Sequence, residues 1–190
     1  MTTYTSNGKL LLTAEYIVLD GAKALALPTK FGQSLTVKSI DKPQLLWRSI
    51  DYKGDVWFEA NFPLEKIPSN FSNPHNEIEK RIVQILNAAK QLNPGFLSID
   101  GGLSITTKLD FDKNWGLGSS STLINNISNW ANVDAYQLLK LTFGGSGYDI
   151  ACAQNNQPIT YQNNLPKNTR IVKLVEFNPT FKDNLFFVYL

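Results

Sequence analysis

Between residues 103 and 131 the hydrophobic period of the chain changes from two to that of a helix, across a short turn rich in glycine and serine. Leu103, Ile105, Thr107 and Leu109 alternate with their neighbours and share one face of a strand. Leu123, Ile124, Ile127, Trp130 and Ala131 recur at helical spacing. The junction reads Trp115-Gly-Leu-Gly-Ser-Ser-Ser-Thr122. Gly116 and Gly118 let the backbone turn tightly and leave room for a ligand to come close. Ser119, Ser120 and Ser121 stand where the helix begins. Unpaired N–H groups and the positive end of the helix dipole favour an anion such as phosphate there. Strand, glycine turn and helix in that order are the context a phosphate loop needs. The same serines also serve as ordinary helix caps, and Gly-x-Gly-Ser-Ser alone does not decide between the two. No Lys follows the second glycine, which excludes a Walker A loop, and the missing third glycine excludes a dinucleotide fingerprint.

The flanking sequence is an α+β mixture. Lys9 to Leu19 is nearly continuous apolar sequence, expected as a buried strand running into a turn or short helix. Ala24 to Leu27 is apolar and Pro28 is expected to break it, with a separate half-buried strand around Leu35, Val37 and Ser39. Leu45–Arg48 and Val56–Glu59 read as a hairpin joined by Tyr52–Asp55. Asn73-Pro74 signals a helix start, with a stripe of Ile78, Ile82, Ile85, Leu86 and Ala89, ended at Asn93-Pro94-Gly95. His75 in its first turn is read as a solvated surface residue. A second helix carries Leu138, Leu139 and Leu141, and Phe143-Gly-Gly-Ser-Gly-Tyr-Asp-Ile-Ala151 repeats the pattern of glycine and serine before a short apolar helix. Strands are expected at Pro158–Tyr161, Arg170–Phe177 and Leu185–Leu190. The chain stops inside that last apolar run, which is expected of the front part of a longer protein.

Composition narrows the partners. Net charge is +2 and the basic residues are scattered, so nucleic-acid binding has no support. One Cys, Cys152, excludes an internal disulfide, and one His with one Cys argues against a structural zinc site. No apolar run approaches the length of a membrane span and the N-terminus lacks the core of a signal peptide. The expectation is a soluble cytoplasmic protein that binds neither nucleic acid nor membrane; a homodimer is compatible with it.

Three stretches stand in one order: Asn7-Gly-Lys-Leu-Leu-Leu-Thr-Ala-Glu-Tyr16, Trp115–Thr122 and Gly145-Ser-Gly-Tyr-Asp-Ile-Ala151. Together they resemble the first two motifs and the catalytic aspartate segment of the GHMP small-molecule kinases. The likeness is nearest to the mevalonate and phosphomevalonate kinase branch and runs over essentially the whole chain. It implies ATP as phosphoryl donor and Mg²⁺ as cofactor. Gly116, Leu117, Gly118, Ser119, Ser120 and Ser121 would cradle the ATP phosphates, with Ser120 reaching the metal. Asp149 would orient the acceptor hydroxyl and take its proton; as Ser146-x-x-Asp149 it also fits a capping box. Lys9 would lower the acceptor hydroxyl's pKa or balance charge on the transferring group. Glu15, Tyr16, Ser146 and Gly147 would line the acceptor pocket, and the small-molecule acceptor would be mevalonate or phosphomevalonate, with a sugar or homoserine as alternative.

The chain departs from the family at three places. Ala14 stands where the family has Gly. Tyr16 replaces a common His, as in many phosphomevalonate kinases. Tyr136-Gln-Leu-Leu-Lys140 has no acid where mevalonate kinases carry a metal-binding Glu. The third family motif, a glycine-rich loop, is not found in residues 1–190, and the resemblance implies it would follow them. The resemblance implies residues 1–165 as a GHMP kinase N-terminal nucleotide-binding domain, like domain 2 of a small-subunit ribosomal protein. Residues 166–190 would begin a truncated, ferredoxin-like C-terminal domain. A non-catalytic nucleotide-binding relative, or an inactive fragment, is the reading from a different class.

Overall fold

The computed structural model describes residues 1–64, 77–167 and 169–189. The Asn73-Pro74 helix start and His75 lie outside the described residues. The elements, in order, are β1 (Thr2–Leu11), β2 (Ala24–Ile40), β3 (Gln44–Ile50), β4 (Val56–Pro63), α1 (Glu77–Leu92), β5 (Gly102–Leu109), α2 (Ser119–Ala131), α3 (Ala135–Thr142), α4 (Tyr148–Ala153), β6 (Ile159–Asn164) and β7 (Thr169–Leu174).

One seven-stranded mixed sheet carries the fold, in the order β4-β3-β5-β2-β6-β7, with β1 paired to β2. β3 and β5 run parallel; every other pair is antiparallel. β2 is the organising strand. Its 17 residues pair with β1, then with β6 through Ala24–Ala26 and with β5 through Gln33–Ile40. The expected break at Pro28 is not there: β2 runs straight through it. Pro28 faces Lys9 at the β1 bulge, where the ladder is interrupted and a missing N–H costs little.

The alternation in β3, β4 and β5 puts Leu45, Trp47, Phe58, Phe62, Leu103 and Ile105 on the buried face. Against it pack Ile82, Ile85 and Leu86 of α1, Ile124 and Ile127 of α2, and Leu138 of α3. Each such fully buried side chain contributes about 1.5–3 kcal/mol. A smaller core joins Val18, Ala24 and Ala26 to Ala151, Cys152, Ile159 and Tyr161, and seats α4 on β2 and β6.

The inner face of α2 is also polar. Asn125 and Asn126 are buried. Asn125 donates to Ser6 Oγ (2.9 Å), Ser6 donates to Asn126 Oδ1 (2.7 Å), and Asn126 donates to the Gln33 carbonyl (2.9 Å). Gln154, just past α4, donates to Asn125 Oδ1 (3.1 Å). Mutually satisfied, and buried except for Gln154, these groups fix β1, β2, α2 and the end of α4 relative to one another.

One strand expectation is sharpened and one corrected. The first strand begins at Thr2 and ends at Leu11, where the chain runs into the expected turn. Thr13 Oγ1 accepts the Leu25 N–H (2.9 Å), Ala14 takes a left-handed φ of 66°, and the chain then turns back on the Ala14 carbonyl. Residues 185–189 form no strand among the described residues. Apolar, β-prone residues form a strand only where a neighbour supplies the ladder; here Phe187 and Tyr189 instead set their rings 6.4 and 5.3 Å from that of Trp115.

Candidate active site

The strand β5 ends at Leu109, and Leu109, Phe111 and Leu117 form a small core beneath the glycine turn. Residues Lys113–Trp115 make one turn of 3-10 helix, capped by Asp112 and closed by Gly116 at a φ of 72°. Gly118 then takes a φ of 89° as the residue before α2. Its carbonyl accepts the Thr122 N–H (3.0 Å) and the Ser121 hydroxyl (2.9 Å). The N–H groups of Ser119, Ser120 and Ser121 precede that first helical bond and so have no partner within the helix. No side chain caps the helix, so the serines do not serve as its caps. Ser119 and Ser120 face a cleft; Ser121 is buried, its hydroxyl turned inward.

Strand β1 meets this turn at its bulge. The Lys9 N–H donates to the Leu117 carbonyl (2.9 Å). The approach requires Gly8: a Cβ there would stand 2.8 Å from the Leu117 oxygen and 2.6 Å from Thr29 Oγ1. The Lys9 stem runs beside Gly118, with Cγ 3.0 Å from where a Cβ on Gly118 would sit. The ammonium lies 5.7 Å from the centre of the Tyr148 ring, a cation–π distance.

Asp149 lies in the first turn of α4. The residue before this helix is Gly147, at a φ of 87°, and no side chain caps it, so the expected Ser146–Asp149 capping box does not form. Asp149 Oδ1 instead accepts the N–H of Ile150 (3.0 Å). Burial raises the Asp149 pKa above the ordinary carboxylate value, opposed by the backbone N–H groups and then by the positive charge of Lys9. Lys9 and Asp149 are therefore within electrostatic reach of each other. Burial also raises Tyr148 and pushes the Cys152 thiol up to about 12, Asp149 adding to both.

Of the residues singled out in the sequence, the fold gathers Lys9, Leu117, Gly118, Tyr148 and Asp149 around one place. Glu15 is exposed, yet its charge reaches Tyr148. Gly116 is at the surface. Ser146 turns its carbonyl to the Tyr161 hydroxyl, and Gly147 is buried. Tyr16 is not brought in: it is 91 % exposed in the turn after β1.

The cleft beside Ser119 and Ser120 was not legible in the sequence. It has a volume of about 280 Å³ and is walled by Trp47, Trp57, Ile78, Ile82, Leu123 and Phe143. Two cations stand on aromatic rings at it: Lys113 Nζ is 5.0 Å from the Trp57 ring centre, and the Arg81 guanidinium is 5.4 Å from that of Phe143. Glu77, at the start of α1, also lines it. These residues come from distant segments, so no local motif marks them; only Lys113 sits near the glycine turn. Among the described residues no cluster of three or more His, Cys, Asp or Glu could hold a metal ion.

No protein-family model matches the sequence, and no curated protein matches it. Solved structures do match. The mevalonate kinase of Methanococcus jannaschii superposes with a TM-score of 0.66 at 15% identity, covering 93% of this chain and 56% of that one. The galactokinase of Lactococcus lactis, complexed with galactose, gives 0.64 at 14%, covering 93% and 47%. The phosphomevalonate kinase of Streptococcus pneumoniae, in complex with phosphomevalonate and AMPPNP, gives 0.59 at 19%, covering 85% and 50%. The chain thus has the fold of the GHMP kinases and spans about half the length of these structures.

Proposed function

We propose that this chain is the nucleotide-binding part of an ATP-dependent small-molecule kinase. The observation that carries the reading is the meeting of three separate segments: the uncapped start of α2, the Lys9 stem against Gly118, and the half-buried Asp149 within reach of the Lys9 charge. Phosphoryl transfer asks a protein mainly to position groups and to offset charge, and these are the groups it needs.

The cleft fits a nucleotide. Its aromatic and aliphatic walls suit a base, and Lys113, Arg81 and the amides of Ser119–Ser121 suit phosphates. Mg²⁺ prefers oxygen ligands and keeps much of its coordination for water and phosphate. The hydroxyl of Ser120 and the carboxylate of Glu77 line the cleft and fit that donor set, without a dedicated acidic cage. Bound there, the ion would offset charge on the β- and γ-phosphates.

The acceptor hydroxyl approaches Asp149 from the Tyr148 and Glu15 side. Its proton passes to the Asp149 carboxylate as its oxygen bonds to the γ-phosphorus, and the bond from that phosphorus to the bridging oxygen breaks to release ADP. A carboxylate of raised pKa is the better base for this proton. Lys9 sits where it offsets charge on the transferring group. The branch resemblance makes mevalonate or phosphomevalonate the leading acceptor, with a sugar or homoserine second. Residues 1–165 are the nucleotide-binding domain in this reading, and 166–190 lead into a second, ferredoxin-like domain. β7, hydrogen-bonded to β6, ties the connecting segment to the sheet edge.

Calorimetry with a non-hydrolysable ATP analogue and Mg²⁺ tests the donor half. Binding is expected, weakened about tenfold by Trp57→Ala through lost ring contact with the base. Binding that ignores Trp57 would put the base elsewhere. A panel of acceptors in a coupled ADP assay tests the acceptor half.

A further inference from the structure

Behind the loop that carries Asp149 lies a second cavity, of about 280 Å³, whose charged lining is of one sign. Lys140, from the last turn of α3, and Arg170, from β7, both face it, and no Asp or Glu does. Among the described residues neither cation is in an ion pair. Arg170 is held in place: its guanidinium lies 4.2 Å from the Tyr136 ring centre, and its positive charge reaches the Tyr161 hydroxyl. Tyr161 in turn donates to the carbonyl of Ser146. The Tyr136 ring lies against Gly147, where a Cβ would stand 3.0 Å from it. Arginine, two tyrosines and the 144–147 loop therefore form one packed unit. Gly144 and Gly145, at φ of 69° and 102°, have open space where a side chain would project. Ser146 and Gly147 line the cavity, and Gly147 leads directly into the first turn of α4 with Asp149, so the cavity adjoins the acceptor half of the site.

We propose that this cavity is a subsite for an anionic group, carboxylate or phosphate, on the acceptor itself, bound by Arg170 and Lys140. The inference rests on the reading of the Asp149 loop as the acceptor half, and narrows the acceptor to acidic small molecules. A guanidinium offers a planar fork that matches two oxygens of such a group, and an ammonium adds a point charge. Among the described residues neither is in an ion pair, so an anion displaces no carboxylate among them. A neutral sugar would leave the two charges unused.

The test titrates inorganic phosphate into the 190-residue chain and follows the amide resonances of Gly144, Gly145, Ser146 and Gly147 by NMR. Saturable shifts are expected. Lys140→Met and Arg170→Gln should each weaken them by about tenfold, the loss of one charge-assisted contact, with the response at Ser119–Ser121 unchanged. Lys140 is an exposed helix side chain, so its replacement keeps the fold even if Arg170→Gln does not. Acetate in place of phosphate separates the two sources: saturation by phosphate alone assigns a phosphorylated acceptor, and saturation by acetate assigns a carboxylate. Absent shifts in the wild type, or equal shifts in both variants, overturn the subsite. In the ADP assay the same variants should raise KM about tenfold for an acidic acceptor with kcat little changed. No ADP with any acceptor would overturn the kinase reading and leave the phosphate result to decide the subsite.

Discussion

Replacing Gly118 with Ala probes the contact between the glycine turn and Lys9, and Gly116→Ala supplies the control. Both glycines have left-handed φ, 89° and 72°. An L-residue in that region costs about 1–2 kcal/mol. For Gly116 that is the whole effect, because nothing stands within 4 Å of the added Cβ. At Gly118 the Cβ would lie 2.7 Å from Ser121 Oγ and 3.0 Å from Lys9 Cγ. The Ser121 hydroxyl must then turn away from the Gly118 carbonyl it bonds at 2.9 Å, a loss of about 1 kcal/mol. The entropy gained by restricting the unfolded chain is common to both variants and cancels. Gly118→Ala should therefore unfold at lower urea, by about 1 kcal/mol more than Gly116→Ala. It should also weaken binding of an ATP analogue, since the Lys9 stem is pushed aside. Equal unfolding free energies for the two variants would refute the close packing of Ser121 and Lys9 around Gly118.

Ala14 holds a left-handed φ of 66°, so Ala14→Gly should stabilise the chain by about 0.5–1 kcal/mol, the relief of strain less the added unfolded-state entropy, read by urea denaturation. Asn126→Ala leaves the Ser6 hydroxyl and the Gln33 carbonyl without their buried partner and should cost about 2–4 kcal/mol in the same measurement. The folded pKa of Asp149 lies above its unfolded value, so the folded chain binds the proton more tightly and loses stability as pH rises through that window. Asp149→Asn should accordingly melt higher than wild type at pH 7, with the difference vanishing below about pH 4. Cys152 is fully buried with its thiol pushed up to about 12, so it should resist alkylation at pH 8 until the chain is unfolded.

Local patterns gave the helices α2 and α3, the β3–β4 hairpin and strand β5, because each is fixed by its own hydrophobic period and, in α3, by the Asp134 cap. Asp51 accepts the N–H groups of Lys53 and Asp55 at the hairpin turn, a short-range device visible in the sequence. The path of β2 through Pro28 was not legible, since it depends on a bulge in a different strand. Nor was the fate of Phe187 and Tyr189, which depends on where Trp115 stands. The same divide runs through the candidate site. Lys9, Ser120 and Asp149 lie in motifs and could be named. Trp57, Lys113, Arg170 and Lys140 gain meaning only when sheet order brings β4, β6 and β7 beside the helices. Tyr16, named by its motif, stands exposed in the turn that follows the left-handed Ala14.

The ADP assay with wild type and Asp149→Asn asks whether Asp149 receives a proton in a transfer from ATP. The wild type should form ADP in an acceptor-dependent way. The variant should fall by about a thousandfold or more, with affinity for the ATP analogue unchanged. ADP formation by the variant within tenfold of wild type, or none above background from the wild type with any acidic or neutral acceptor, would contradict that proton transfer.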